Sequence, residues 1–322
     1  MQKEKYLITG VGGFVARHIL CSLDIPENKN VEIIGIDRGI GGAGFETEHC
    51  VCRPVSADLT EAAVLESVIA QFQPQRIIHL AAVSSVSQSW HEPAKCLSDN
   101  LTILLNLLQA VKNIKDENRS YSCRILAVGS SEVYDDGGET ALTETSPLKP
   151  QNPYAVSRFA QEELIRLYVE NFGLDIVSTR SFLHIGRGQN ERFAIASFVR
   201  QLLDAKREGK TETVLKTGNV DLRRDISDVR DVVRAYFTLL EKGKTGEIYN
   251  ICSGQAIPLR EIIGKAADIL GLNVKVEIMP EILRPNDTAV ILGSNGKIHS
   301  QTGWQPHFTL EETLTDMIRQ RS

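Results

Sequence analysis

Residues 6–16 read Tyr6-Leu7-Ile8-Thr9-Gly10-Val11-Gly12-Gly13-Phe14-Val15-Ala16, a short apolar strand, a glycine loop and the opening of a helical pattern. That order sets a pyrophosphate on a helix N-terminus, where free amides and the helix dipole meet its negative charge. Gly10 allows the tight turn, Gly13 lets the backbone approach the phosphates, and Ala16 permits close packing of helix on strand. Phe14 and Val15 complete the segment expected to face a dinucleotide. The spacing is Gly-x-x-Gly-x-x-Ala, and any strand-to-helix turn favours glycine, so the loop alone does not decide the function.

Working outward, apolar runs alternate with helical periodicity: 6–9 and the helix after Gly13; 31–36 and a loop; 76–80 and a long helix through 101–111; 123–128, a helix over 154–172 stopped by Gly173, and a strand over 174–179. This is the rhythm of an α/β fold, a doubly wound parallel sheet of the Rossmann type. Beyond Arg180 the pieces shorten: a helix near 193–206, a strand near 213–216, a helix over 228–240, a strand at 247–250 and two later helices. The reading is a dinucleotide-binding domain over 1–180 and a smaller mixed α/β substrate lobe over 181–322, with some segments returning to the first domain. The glycine-rich stretch 39–44 reads as a loop near the cofactor rather than a second phosphate cradle.

Composition restricts the function. The chain has 322 residues, 42% hydrophobic and 24% charged, with a net charge of -5, which argues against a broad basic face for nucleic acid. Six cysteines show no Cys-x-x-Cys pair and no Cys/His cluster at zinc spacing, so they read as reduced thiols and no metal site is expected. No apolar stretch suits a signal peptide or a membrane span, so the expected location is cytoplasmic, with no membrane partner.

Asp37 closes the second strand, where a carboxylate can accept both ribose hydroxyls of an adenosine and favour NAD. Arg38 beside it can pair a ribose phosphate, so NADP stays open. Asp58, with Leu59, either bonds the adenine amino group or caps the next helix. Leu80, Ala81 and Ala82 end a strand where small residues let the backbone approach a dinucleotide, while His79 reads as a packed histidine. At the next strand end stands Ser130, with Glu132 two residues on, and then Tyr154 and Arg158 share one helical face. A cation one turn from a tyrosine favours its phenolate, and Ser130 can hold the oxygen that gains or loses the proton.

With these motifs in order, the chain resembles the extended short-chain dehydrogenase/reductase family, nucleotide-sugar branch, over essentially its whole length. Ser130-Ser131-Glu132-Val133-Tyr134, Pro150-Gln151-Asn152-Pro153-Tyr154, 184–189, Arg224-Asp225, Asp228-Val229-Arg230-Asp231, 249–254 and Leu283-Arg284-Pro285 are most similar to GDP-4-keto-6-deoxymannose reductases, with GDP-mannose 4,6-dehydratases as close relatives. The resemblance implies Tyr154 as proton donor, Ser130 as its partner, Asn100 as a support, and a nicotinamide as hydride carrier. It implies a GDP-linked sugar near Ser84 and Glu132, with Gln189, Phe193 and Ala194 along the nucleobase and Arg224 and Arg284 on the diphosphate. Glu132 does not settle the reaction, because dehydratases use a carboxylate there and reductases retain it.

Two departures stand out: Arg158 replaces the family lysine, and Leu183 replaces an asparagine before His184. Arginine keeps the charge and can bind ribose hydroxyls, but it does not give up a proton at ordinary pH. The leading reading is therefore NAD(P)H-dependent reduction of the 4-keto group of a GDP-4-keto-6-deoxy sugar. The rivals are a redox-neutral nucleotide-sugar dehydratase or epimerase, and a cofactor- and sugar-nucleotide-binding module with little catalysis. The helices over 93–112 and 154–172 carry apolar faces that relatives pair into a homodimer, though core burial explains the same residues.

Overall fold

The computed structural model describes residues 4–28, 30–39, 48–282 and 288–319. Two compact units divide the chain: Met1–Asp135, Pro147–Ser181 and Ala235–Tyr249 form the first, and Asp136–Ser146, Phe182–Arg234 and Asn250–Ser322 the second.

The first half alternates strictly, with β1 (Glu4–Thr9), α1 (Phe14–Leu23), β2 (Val31–Asp37), β3 (Val51–Ser56), α2 (Ala62–Phe72), β4 (Arg76–His79), α3 (Val86–His91), α4 (Pro93–Glu117), β5 (Arg124–Ser130), α5 (Pro153–Phe172) and β6 (Asp175–Ser181). With β10 (Ile248–Ile251) they give a seven-stranded sheet in the order β10-β6-β5-β4-β1-β2-β3, and every pairing from β3 to β6 is parallel. The order reverses at β1, so the ends of β1 and β4 bound the switch point where doubly wound sheets take ligands. Leu7, Ile36, Ile77, Ile125 and Ile176 of five strands are completely buried against helices, joined by Leu104, Leu107 and Leu108 of α4 and Leu65 and Ile69 of α2. Burial on both faces is why these strands read as continuous apolar runs.

Strand β3 is absent from the sequence reading, which has only a loop after β2. Its residues Val51-Cys52-Arg53-Pro54-Val55-Ser56 are mostly half-buried or exposed, and Pro54 is tolerated because β3 is the last strand of the sheet. Helix α5 follows its signals closely. Asn152 caps it by accepting from the Ala155 amide at 2.8 Å, Pro153 fills the first turn, and Gly173 ends it in the left-handed region.

In the second unit, β9 (Arg223–Asp228) lies between β11 (Ala256–Pro258) and β13 (Val290–Ile291) and also pairs with β7 (Leu183–Ile185). A separate parallel pair joins β8 (Glu212–Thr217) to β12 (Asn273–Ile278). Helices α6 (Ala194–Arg207), α8 (Leu259–Leu270) and α10 (Leu310–Arg319) share an apolar core that includes Phe198, Leu202, Ile262, Ile263 and Leu314. The remaining helices are α7 (Val229–Lys242) and α9 (Gly296–Thr302). Among the described residues no helix is long and apolar enough to cross a membrane.

Candidate active site

The glycine loop fits a dinucleotide. Gly10 has φ +74, and a Cβ there would stand 2.9 Å from the Ala81 amide nitrogen, so no other residue is accommodated without strain. The Gly10 amide donates to the Ile36 carbonyl at 2.7 Å, which pins the turn between β1 and β2. Gly13 is the N-cap of α1 and supplies no side-chain cap, and the first turn holds no carboxylate, which suits an anion at this helix end. Gly12 and Gly13 are exposed, Phe14 and Val15 half-buried, and Ala16 is completely buried against the sheet.

Asp37 stands against this loop, accepting from the Gly12 amide at 3.1 Å and the Gly39 amide at 3.0 Å. The Arg38 side chain is half-exposed, with Nη1 3.7 Å from Asp58 and 3.8 Å from Asp99. Asp58 makes an Asx turn, accepting from the Thr60 amide at 2.9 Å and its hydroxyl at 2.8 Å, and does not cap α2, whose N-cap is Glu61. The Thr60 amide first, then its hydroxyl and Arg38, hold the Asp58 carboxyl below the usual carboxylate range. Leu59 lies in the core. Leu80 and Ala81 hang from Thr9, through its carbonyl at 3.2 Å and its Oγ1 at 3.3 Å, and Leu80, Ala81 and Ala82 are all half-buried. His79 is buried with Nδ1 2.8 Å from Thr9 Oγ1. Burial, then the charge of Arg158, pushes its pKa down to about 3.

The candidate catalytic residues sit at the end of β5 and the start of α5. Ser130 Oγ accepts from the Glu132 amide at 3.2 Å, which leaves its hydroxyl hydrogen to donate elsewhere. Glu132 accepts from Asn152 Nδ2 at 3.0 Å, and Asn152 is the cap of α5, so one amide side chain ties the turn after β5 to the helix that carries Tyr154. Tyr154 is 7% exposed. Arg158 turns into the protein, 4% exposed, with its Cζ 5.2 Å from the Tyr154 ring centroid. Its Nη1 donates to the Val128 carbonyl at 3.1 Å and to Gln161 Oε1 at 2.9 Å. Both acceptors of Nη1 are internal, and Nε, also buried, has no hydrogen-bond partner.

Behind the pair lies a buried polar chain. Asn100 is fully buried on α4; its side chain bonds both the amide and the carbonyl of Val83, at 2.7 and 3.2 Å, and donates to Ser157 Oγ at 2.9 Å. Ser157 in turn donates to the Tyr154 carbonyl at 2.7 Å. Ser157 and Gln161 have no role in the sequence reading, and Asn152 stands there only within a motif. Positions 154, 157, 158 and 161 follow helical spacing, so polar residues recurring on the buried stripe of α5 were the available signal.

Ser84 is exposed on the loop after β4. In the second unit, Gln189 is buried and its Nε2 donates to the His184 carbonyl at 2.9 Å. Phe193, half-buried, is the N-cap of α6, and exposed Ala194 is its first residue. Arg224 directs Nη1 to the carbonyls of Arg223 and Thr288 at 3.0 and 2.8 Å, while Arg223 is paired with Glu139 at 2.8 Å. Leu183 is 37% exposed on β7. Arg284 and the stretch 40–44 lie outside the described residues. Asp225, Asp228 and Asp231, from the motifs that carried the resemblance, are buried organisers. Asp225 accepts from the Ser253 amide and hydroxyl at 2.7 and 2.6 Å, the Gly254 amide at 2.9 Å and the Gly293 amide at 3.1 Å. Asp228 takes the Thr313 hydroxyl at 2.6 Å, and Asp231 the His307 and Phe308 amides, both at 2.9 Å.

A family model described as GDP-mannose 4,6 dehydratase matches residues 7–317. A GDP-6-deoxy-D-mannose reductase of Pseudomonas aeruginosa is 34% identical over 317 residues, covering 98% of this chain and 96% of that protein. A GDP-mannose 4,6-dehydratase of Vibrio cholerae is 25% identical, covering 98% and 93%. Among solved structures, RMD from P. aeruginosa complexed with NADPH superposes with a TM-score of 0.82 at 32% identity, over 99% of this chain and 98% of that one. A UDP-glucose 4-epimerase of Thermus thermophilus, in complex with NAD, gives a TM-score of 0.83 at 25% identity, over 98% of each chain.

Proposed function

This chain belongs to the GDP-mannose 4,6-dehydratase family, in the nucleotide-sugar branch of the extended short-chain dehydrogenases/reductases, and from that premise we propose that it reduces the 4-keto group of a GDP-4-keto-6-deoxy sugar. The observation that carries the proposal is the 34% identity, across nearly the full length of both chains, to a GDP-6-deoxy-D-mannose reductase.

Gly10, Gly13 and the N-terminal end of α1 would hold a reduced nicotinamide cofactor, which would supply a hydride to carbon 4. The Tyr154 phenol gives its proton to the carbonyl oxygen, so the ketone becomes an alcohol and the tyrosine a phenolate. Ser130 donates its free hydroxyl hydrogen to the same oxygen, and Arg158 steadies the phenolate that forms. Glu132, held by Asn152, lines the hexose. Gln189, Phe193, Ala194, Arg224 and Arg284 serve the nucleotide.

Both coenzymes are accepted in this reading, with Asp37 taking the ribose hydroxyls of NADH and Arg38 the ribose phosphate of NADPH. Arg38→Ala is then expected to weaken NADPH about tenfold in a fluorescence titration and to spare NADH. The chain assembles as a homodimer through Leu105, Val156, Leu167 and Phe172, exposed apolar residues of α4 and α5. Sedimentation at micromolar concentration tests this, and a monomer removes it.

The direct assay gives purified protein GDP-4-keto-6-deoxymannose with NADH or NADPH in separate reactions. Coenzyme oxidation matched by a reduced sugar nucleotide supports the proposal. Tightly retained NAD with turnover but no net oxidation moves the assignment to a dehydratase or epimerase, and binding without turnover moves it to a binding module.

A further inference from the structure

We propose that Gln161 is a positioning residue: it holds the Arg158 guanidinium against Tyr154 with its charge uncancelled, and so sets the acidity of that tyrosine. The inference rests on the assignment of Tyr154 as the proton donor.

Buried arginines are ordinarily matched by a carboxylate. Arg180, on the neighbouring strand, follows the rule, reaching Glu162 at 2.9 and 2.7 Å with both side chains buried. Arg158, equally buried, is held by neutral oxygens, those of Val128 and Gln161, and among the described residues no carboxylate forms an ion pair with it. Gln161 is fixed in this orientation. Its Nε2 donates to the Asn100 carbonyl at 2.6 Å, so turning the amide over would set donor against guanidinium and oxygen against carbonyl. The same Asn100 also holds the Tyr154 backbone through Ser157, so one residue of α4 registers both members of the pair.

Glutamine rather than glutamate is what the chemistry requires at this position. A glutamate would accept the same hydrogen bond but cancel the charge that favours phenolate. The other titratable groups near the pair do not supply it. His79 on β4 is held neutral, burial pushes the Cys96 thiol on α4 up, and burial pushes the Tyr236 phenol on α7 up to about 12. Glu162 is matched to Arg180, and Glu132 is bonded to Asn152. Arg158 is therefore the unmatched charge beside the ring.

The test reads Tyr154 without substrate, as the phenolate ultraviolet difference between the holoenzyme and its Tyr154→Phe counterpart across pH. In Gln161→Glu the Tyr154 midpoint is expected to rise by about one pH unit or more. Turnover at pH 7 should fall about tenfold while NADPH affinity stays within about twofold. In Gln161→Met, which removes both hydrogen bonds and adds no charge, a rise of about half a unit is expected as the guanidinium loses its fixed place. An unchanged midpoint in folded Gln161→Glu overturns the proposal even if Tm falls, because a purely structural role predicts that result. Where Gln161→Glu does not fold, an unchanged midpoint in Gln161→Met overturns it equally. A shifted midpoint in a chain that never turns over the sugar supports the role of Gln161 and removes the reductase assignment alone.

Discussion

Arg158 in the first unit and Asp225 in the second are both buried charges, and the two units treat them in opposite ways. Asp225 meets four donors, three of them backbone amides, so its charge is consumed in fastening β9 to the turn at 253–254 and to Gly293. Arg158 meets two neutral acceptors and keeps its charge available to the Tyr154 ring. A buried carboxyl saturated with donors fastens a fold, whereas in the proposed mechanism a charge left unmatched beside Tyr154 prepares chemistry. Motif residues of similar appearance in the sequence thus divide into fasteners and tuners according to what they face.

The sharpest way to break this contrast is to remove the group that the unmatched charge serves. Tyr154→Phe is expected to lower kcat by about a thousandfold, within the usual range for losing a general acid. Its Tm and NADPH affinity should be nearly unchanged, and a Tm loss with turnover intact would make the tyrosine a packing residue. Asp225→Asn should do the reverse. Placing an NH2 where a carboxylate oxygen now accepts from the Gly254 and Gly293 amides costs about 2–4 kcal/mol in urea unfolding, with kcat of the folded protein changed less than about twofold. Gly10→Ala tests the loop in both respects. A Cβ against Ala81 at a positive φ is expected to cost about 1–3 kcal/mol and to weaken NADPH about tenfold or more by calorimetry.

The pH effects concern stability alone, and there the two regions should diverge in sign. His79 has its pKa depressed to about 3 from 6.5, so its contribution to stability is complete above pH 6.5 and is lost as pH falls toward 3. Between pH 6.5 and pH 5 the loss is about 2 kcal/mol, and it should vanish in His79→Gln. Burial raises the Asp225 carboxyl above its ordinary value against the pull of its hydrogen bonds. Its contribution is thus complete at acid pH and is lost as pH rises through the raised value. The stability gap between the parent chain and Asp225→Asn should widen on acidification while the gap to His79→Gln narrows, and parallel trends in urea melts at two pH values would end the contrast.

Much of the fold was legible because the parallel sheet is buried on both faces, which leaves apolar runs with little ambiguity, and because Gly10 and Gly173 punctuate it. Strand β9 was not, since Arg223-Arg224-Asp225-Ile226-Ser227-Asp228 looks like surface until the amides that face Asp225 are seen. The same limit applies at the site. Helical spacing brought Tyr154 and Arg158 onto one face, but it gave no sign that the guanidinium turns inward to the Val128 carbonyl, a partner 30 positions away in the chain. The polar stripe of α5 marks Ser157 and Gln161, but their partner Asn100 lies on a different helix, and no local period encodes that pairing.

Net reduction at carbon 4 is read by isotope transfer. The protein would be given GDP-4-keto-6-deoxymannose with NADPH, or NADH, carrying deuterium at the transferring position of the nicotinamide. A product alcohol with deuterium on carbon 4 is expected, formed in step with coenzyme oxidation and nearly abolished in Tyr154→Phe. A sugar nucleotide that is altered without taking up deuterium, while the coenzyme stays reduced, would contradict it.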